Sequence, residues 1–170
     1  NEAAVVEMGI NVPGELARLT EISSPTVGLI TNIHPAHLDW LLSLDQILEE
    51  KGRLWSALKS QDLAVVNRDD ERLFTFSKNL KARTITYSLK DSAADVKLAG
   101  ALETEGGVST FPLTLGRDLV SIRLPVLGRH QVTNALAAAA VAWGMGESPE
   151  AITLGLSQHR PVPQRMQMHH

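Results

Sequence analysis

The sequence lacks several features that would each point to a particular class of protein. It contains no cysteine, which excludes a disulfide framework and any metal site built on thiolates. No apolar run is long enough to span a bilayer and no signal peptide is present, so we expect no membrane insertion. Also absent is the phosphate-binding pattern G-x-x-x-x-G-K-[ST]. Glycines scattered elsewhere cannot replace that pattern, because it needs consecutive backbone N–H groups in one loop.

The composition that is present fits one globular domain. The chain has 170 residues, of which 44% are hydrophobic, enough to bury one sizeable core. Sixteen basic and nineteen acidic residues give a net charge of −3, which argues against a nucleic-acid partner. We therefore expect a soluble, cytoplasmic protein and a monomer. A strand-like run starts at once from Asn1 without an initiator methionine, which indicates a piece of a longer protein.

The first half of the chain alternates between strand and helix patterns. Apolar runs predict strands at Ala3 to Met8, Val27 to Ile33 and Leu63 to Asn67. Between and after them, helical patterns cover Glu15 to Ile22, a long segment capped by Ser43, and a segment that Asp69-Asp70 opens and that runs to about Leu80. This alternation is typical of a parallel sheet with helical crossovers.

The second half has a different pattern. Strand-like segments follow one another across short turns, at Arg83 to Leu89, Val96 to Glu103, Val108 to Leu115 and Leu119 to Leu124. An Ala-rich helix from Val132 to about Trp143 comes next, and Ser148-Pro149 opens a last helix. We predict an α/β fold: a mostly parallel sheet with helices on both faces and a small antiparallel patch.

Two side chains at predicted strand ends are candidates for a metal site. Glu7 lies at the carboxyl end of the first predicted strand and His37 follows the second, and ligands of open parallel sheets bind at that edge. A carboxylate and an imidazole would suit a divalent cation that keeps water or phosphate oxygens as its other ligands. The alternatives are a solvated strand end for Glu7 and a loop-capping hydrogen bond for His37.

A lysine interrupts the apolar stripe of the long helix. Lys51 lies three residues after Leu48 and four before Trp55, both of which belong to that stripe. Its amine must either extend along the surface to water or serve a purpose inside. We interpret His34 as an ordinary loop residue and Asp69-Asp70 as helix caps.

Four segments together resemble the central domain of the Mur ligases. They are VVEMGINVPGELARLTEISSPTVGLITNIHPAHLD, the lysine fourteen residues after His37, LAVVNRDD and LGRHQVTNALAAAAVA, in the family's order and over nearly the whole chain. The resemblance implies ATP-dependent amide-bond formation through an acyl phosphate. Within the family, the E-M-G-x-N opening is most similar to the member that adds D-alanyl-D-alanine to a UDP-N-acetylmuramoyl peptide. The implied cofactors are ATP and Mg²⁺.

The resemblance also implies a role for individual residues. Glu7 and His37 match the family's magnesium ligands. Lys51 matches a lysine that reacts with carbon dioxide, giving a carbamate that helps to hold a second magnesium. Asn134 matches an asparagine that binds the adenine of ATP, and Arg165 matches an arginine near the phosphates.

Three places depart from the family pattern, and they leave alternatives open. Trp40-Leu41-Leu42 replaces a Gly-rich turn, Gln131 replaces an asparagine, and Gln164 replaces a glycine before the arginine. We expect residues 1–170 to be part of the central domain, with the phosphate loop a few tens of residues before Asn1 and the flanking domains outside this chain. The alternatives are another Mur ligase, a folylpolyglutamate synthase-like ligase, or a non-catalytic module.

Overall fold

The computed structural model describes residues 3–10, 12–34 and 43–160, which contain seven strands and five helices. The strands are β1 (Val27–Ile30), β2 (Leu63–Asn67), β3 (Arg83–Ser88), β4 (Val96–Leu98), β5 (Glu103–Glu105), β6 (Val108–Leu115) and β7 (Asp118–Leu124). The helices are α1 (Glu15–Ser23), α2 (Leu44–Ser56), α3 (Glu71–Ser77), α4 (Arg129–Gly144) and α5 (Pro149–Ser157).

The described strands form one mixed sheet. Strands β1, β2, β3 and β4 are neighbours in that order and run parallel. Strand β6 joins β4 antiparallel, and β5 and β7 each pair antiparallel with β6. The predicted α/β class is confirmed, with a mostly parallel sheet and a small antiparallel patch.

Helices cover both faces of this sheet. On one face, α4 packs across the parallel strands and α5 packs beside β7. On the other face, α1, α2 and α3 enclose a second core whose largest buried side chain is Trp55. Gly144, the last residue of α4, allows a close approach to the sheet, because a Cβ added there would lie 2.4 Å from Leu63 Cδ2. Among these residues no helix is long and apolar enough to cross a membrane.

Three predicted helix starts, those of α2, α3 and α5, are confirmed by their caps, whereas α4 begins at Arg129, three residues before the predicted Val132. The Ser43 side chain accepts a hydrogen bond from Gln46 N at 3.2 Å, and the Ser148 side chain accepts one from Ala151 N at 3.2 Å. Asp70 caps α3. Each cap satisfies one of the N–H groups that the first turn of a helix leaves unpaired.

Helix α2 packs directly against strand β1. The indole Nε1 of Trp55 in α2 donates to Gly28 O of β1 at 3.0 Å. A Cβ at Gly28 would lie only 3.1 Å from Trp55 Cδ1, so the absence of a side chain there permits the close approach. The contact fixes the position of α2 against the sheet.

Glycines form the short turns that the sequence predicts in the antiparallel patch. Gly106 and Gly107 join β5 to β6 with φ of 55° and 82°, and Gly116 begins the turn from β6 to β7 with φ of 60°. These are left-handed conformations that other residues rarely adopt.

Three predicted strands differ clearly in the structure: the first is absent, β1 is shorter than predicted, and a third is divided in two. The prediction of a strand from Ala3 to Met8 is wrong: residues 3–10 have no regular secondary structure, and Val5 is fully exposed. Within the described residues this segment pairs with no strand, and an unpaired segment forms no ladder of hydrogen bonds that would make it a strand. The segment does pack inward at its end, where Met8 and Ile10 contact the core beneath α1 and α2.

The strand predicted from Val96 to Glu103 is divided into β4 and β5. Both pair with the same edge of β6, because β7 occupies the other edge. The break lies opposite Pro112, whose carbonyl accepts from Ala99 N at 2.9 Å but which has no N–H to return a bond to that edge.

Candidate active site

The loop after β1, residues 31–34, is the centre of the candidate site. Three of its consecutive residues bond side chains from other elements: Asn67 Nδ2 donates to Thr31 O at 2.8 Å, Lys51 Nζ donates to Asn32 O at 2.9 Å, and Ile33 N donates to Asp70 Oδ2 at 2.7 Å. The loop is therefore held by β2, by α2 and by the start of α3.

These bonds explain why β1 is shorter than predicted. The sequence predicts a strand to Ile33, but β1 ends at Ile30, which is the last residue paired with β2. Backbone groups near a sheet need partners, and for the next three residues side chains supply them in place of a neighbouring strand. Strands β1 and β2 are parallel, so the loop and Asn67 meet at the carboxyl edge of the sheet.

Lys51 faces this loop. It is half-buried on α2, and its burial lowers the pKa of the amine, while the negative charge of Asp70 acts in the opposite direction. Of the two alternatives for this lysine, the structure favours the second, because the amine bonds a loop carbonyl. The lowered pKa enlarges the neutral, nucleophilic fraction of the amine.

A network of hydrogen-bonded polar groups from residues 67–69 and 87–89 lies next to the loop after β1 and helps to hold it in place. Asn67 Oδ1 accepts from Asp69 N at 3.0 Å, and Asp69 in turn accepts from Leu89 N at 2.7 Å and from the Ser88 hydroxyl. The buried Tyr87 hydroxyl lies 3.4 Å from the carbonyl oxygen of Thr31.

The Tyr87 phenol remains protonated in this network. Burial raises its pKa above the ordinary value, and the charges of Asp69 and Asp70 raise it further. Sequence reasoning missed both Tyr87 and Asn67. The available signal for Asn67 was a polar run, Asn67 to Asp70, which begins at the last residue of a fully buried strand.

The neighbour of Lys51 serves a different purpose. Glu50 is buried, and its carboxylate accepts from Gly14 N at 2.8 Å and from Arg53 Nε at 2.9 Å. It therefore links the start of α1 to α2 and points away from the loop after β1.

Of the predicted site residues, Lys51 is the one that the described part of the structure places at the loop after β1. Glu7 is exposed in segment 3–10 and makes no hydrogen bond or ion pair with the described residues. Asn134 is exposed on α4, which lies on the opposite face of the sheet from Lys51. His34 is exposed at the end of the loop, and His37 and Arg165 lie outside the described residues. Within the part that the structure describes, no three His, Asp or Glu side chains are grouped as a metal site.

The fold and the loop define an α/β protein with a polar site at the carboxyl ends of its parallel strands, the edge where such proteins bind ligands. A match to a known protein family narrows this class. Residues 1–142 match the family described as the Mur ligase middle domain, so this chain belongs to the Mur ligases. The resemblance noted in the sequence is confirmed.

Curated relatives share most of this chain. A UDP-N-acetylmuramoyl-tripeptide–D-alanyl-D-alanine ligase from Haemophilus influenzae is 33% identical over 163 residues, which are 96% of this chain and 35% of the relative. The enzyme of the same name from Mycobacterium tuberculosis is 34% identical over 165 residues, 96% of this chain and 32% of the relative. The chain thus spans about a third of the length of the curated relatives it matches.

Solved structures show the same fold. The crystal structure of MurF from Acinetobacter baumannii superposes with a TM-score of 0.85 at 29% identity, covering 94% of this chain and 34% of that one. A pseudomurein peptide ligase type C from Methanothermus fervidus has a TM-score of 0.75 at 25% identity, covering 95% and 40%. MurF of Thermotoga maritima in complex with ADP, at 23% identity and a TM-score of 0.80, supports the fold alone; it covers 92% of this chain and 35% of that one.

Proposed function

We propose that this chain is part of the ATP-binding middle domain of a cytoplasmic, monomeric ligase that joins D-alanyl-D-alanine to a UDP-N-acetylmuramoyl-tripeptide. The observation that carries the proposal is the identity of 33–34% over 96% of this chain to two curated ligases of that name. The candidate site supports it, since a lysine with a lowered pKa faces a loop at the carboxyl edge of the sheet. The phosphate loop and both substrate-binding domains would belong to the longer protein.

In the proposed reaction an oxygen of the tripeptide carboxylate bonds to the γ-phosphorus of ATP, and the bond from that phosphorus to ADP breaks. The amine of D-alanyl-D-alanine then attacks the carbonyl carbon of the acyl phosphate, phosphate leaves, and the nitrogen loses a proton. Asn134 would bind the adenine and Arg165 the phosphates. The exposed side chain of Asn134 supports this role, because it is accessible to a ligand.

Lys51 would act as a carbamate. Its amine nitrogen bonds to the carbon of carbon dioxide and releases a proton, and only the neutral amine can react in this way. The burial that lowers its pKa favours that form. The carbamate would lie beside the loop after β1, where the amine now bonds Asn32 O.

The residues fit magnesium by the chemistry of their donors. Carboxylate and carbamate oxygens are ligands that Mg²⁺ prefers, and the Glu7 carboxylate has no competing partner among the described residues. Glu7 and His37 would hold one ion, and the Lys51 carbamate would help to hold a second. When bound, magnesium would neutralise charge that develops on the transferred phosphoryl group.

The activity is tested on the whole protein. Phosphate release should require ATP, the UDP-linked tripeptide and D-alanyl-D-alanine together, and the amide product should appear in equal amount. Release with a different amine in place of the dipeptide would indicate another Mur ligase. No release with any amine would contradict the proposal and favour a non-catalytic module.

Lys51→Ala should reduce turnover of the whole protein by about 10²–10³-fold, the usual loss when one electrostatic stabiliser of a transition state is removed. Short-chain carboxylates should restore part of the activity by occupying the vacated space. Lys59→Ala, which removes a lysine just after α2, is the matched control and should leave turnover unchanged. Near-full activity of the Lys51→Ala enzyme would mean that the lysine is only a surface residue.

A further inference from the structure

We propose that Asp70 is a positioning residue, which fixes the orientation of the peptide group between Asn32 and Ile33 and thereby the place of the Lys51 side chain. Its consequence for catalysis rests on the ligase function proposed above. The structural part can be tested without any activity.

Asp70 does more than cap a helix. Oδ1 accepts from Leu73 N at 3.1 Å, which is the ordinary bond of a residue at the start of α3. Oδ2 accepts from Ile33 N at 2.7 Å, a residue 37 positions earlier in the chain. The second and shorter bond contributes nothing to the helix start, so it serves the loop after β1.

The two bonds to the loop meet on one peptide group. Asn32 O and Ile33 N belong to the same planar unit, whose C=O and N–H point in opposite directions when the bond is trans. Asp70 accepts from the N–H and Lys51 donates to the C=O. Because the unit is rigid, the carboxylate that holds its N–H also sets the direction of the carbonyl toward Lys51.

The chemistry of this position requires a carboxylate. Both partners of Asp70 are N–H donors, so both oxygens must accept. An amide at this position offers one acceptor only, and its NH₂ group would face a donor. A bond from a backbone N–H to an ionised carboxylate is also stronger than one between neutral groups.

The loop is also held at Thr31, the residue before Asn32, because the Asn67 side chain donates a hydrogen bond to Thr31 O. That bond holds the beginning of the loop but leaves the next peptide free to rotate about its flanking dihedral angles. The bond from Asp70 removes this rotation. The two residues therefore have separable effects, and replacing Asp70 alone should release one peptide group and not the whole loop.

The test is amide hydrogen exchange in this chain, comparing Asp70→Ser with the native protein. Serine is also a good helix cap but is too short to bond Leu73 N and Ile33 N together. The Ile33 amide should exchange at least about tenfold faster, the equivalent of one bond to a charged acceptor, while the Leu73 amide stays within about twofold.

Asp69→Ser is the matched control. It removes the neighbouring carboxylate, which accepts from Leu89 N, and should accelerate exchange at Leu89 and not at Ile33. If Asp70→Ser does not fold, Asp70→Asn should keep the cap and show the same selective release of Ile33. Unchanged exchange at Ile33, or equal acceleration at Ile33 and Leu73, would overturn the proposal.

In the whole protein, Asp70→Ser should lower kcat by about tenfold and leave KM for ATP nearly unchanged, because the bond lost is the one that aligns Lys51. A kcat within about twofold of the native value would overturn the catalytic consequence. A native protein without ligase activity would contradict the proposed function instead, and the exchange experiment would still decide the role of Asp70.

Discussion

The carboxyl edge of the parallel strands and the antiparallel patch of β5, β6 and β7 are built in different ways. In the patch, neighbouring segments pair through backbone bonds across two-residue turns. At the carboxyl edge, side chains reach backbone groups that are 19 to 37 positions away in the chain. The patch therefore distributes its stability over many equivalent bonds, whereas the loop after β1 depends on a few particular ones.

The antiparallel patch and the carboxyl edge also differ in how their side chains pack. Along β6, successive residues alternate between partly exposed and buried, and the buried ones include Phe111, Leu113 and Leu115. At the carboxyl edge the residues that matter are polar, and each has a named partner. Changes in the patch should consequently affect folding, and changes at the edge should affect the geometry of the site.

The largest effect on stability is expected from Phe111→Ala in the patch. Phe111 is completely buried, so the lost contacts and the cavity should lower the free energy of unfolding by about 3–5 kcal/mol. Denaturant unfolding measures it. Thr110→Ala, on the other face of β6, is the control and should change little. A loss below about 1 kcal/mol for Phe111→Ala would contradict the conclusion that changes in the patch mainly affect folding.

A middle-sized effect is expected from Glu50→Gln near the site. The glutamine can accept from Gly14 N, but its NH₂ group would then face the Arg53 Nε donor, so we expect a loss of about 1–3 kcal/mol in the free energy of unfolding. Glu49→Gln is the matched control, because Glu49 is the exposed neighbour. Equal stability of the two variants would show that the buried carboxylate is not needed.

The smallest effect is expected from Leu119→Thr on the exposed face of β7. Leu119 is 68% exposed, and threonine suits a strand, so the free energy of unfolding should change by no more than about 0.5 kcal/mol. Thermal unfolding is a sufficient measurement. A loss of several kcal/mol would mean that this face of the patch packs against something.

The patch was predictable because its signals are local. Alternation along β6 and glycines at the turns predict strands from nearby residues, and the observed β6 has the predicted ends, Val108 and Leu115. The prediction failed where a distant residue decided the outcome. Pro112 lies opposite the break between β4 and β5, and the signal within the segment is a single glycine, Gly100, which weakens a strand but does not by itself end it.

The site was predictable only in part for the same reason. Lys51 is recognisable from its place in an apolar stripe, and Asp70 is recognisable as a cap. The second bond of Asp70, to Ile33, depends on how β1 and β2 pair, which the local sequence does not contain. Glu7, His37, Asn134 and Arg165 remain predictions from family resemblance.

The contact between α2 and β1 makes Gly28 a spacer for the site. Lys51 lies four residues before Trp55, about one helical turn or ~6 Å along the axis, and Trp55 rests on Gly28 O. A Cβ at position 28 would lie 3.1–3.2 Å from side-chain atoms of Trp55, Leu54 and Leu58, and these neighbours would have to shift by tenths of an ångström. Because Lys51 belongs to the same helix as Trp55, we expect such a shift to change its distance to the Asn32 carbonyl oxygen. Gly28, which is buried in the sheet, therefore influences where Lys51 lies relative to the loop after β1. The distance between Lys51 Nζ and Asn32 O is thus a reason for glycine at position 28.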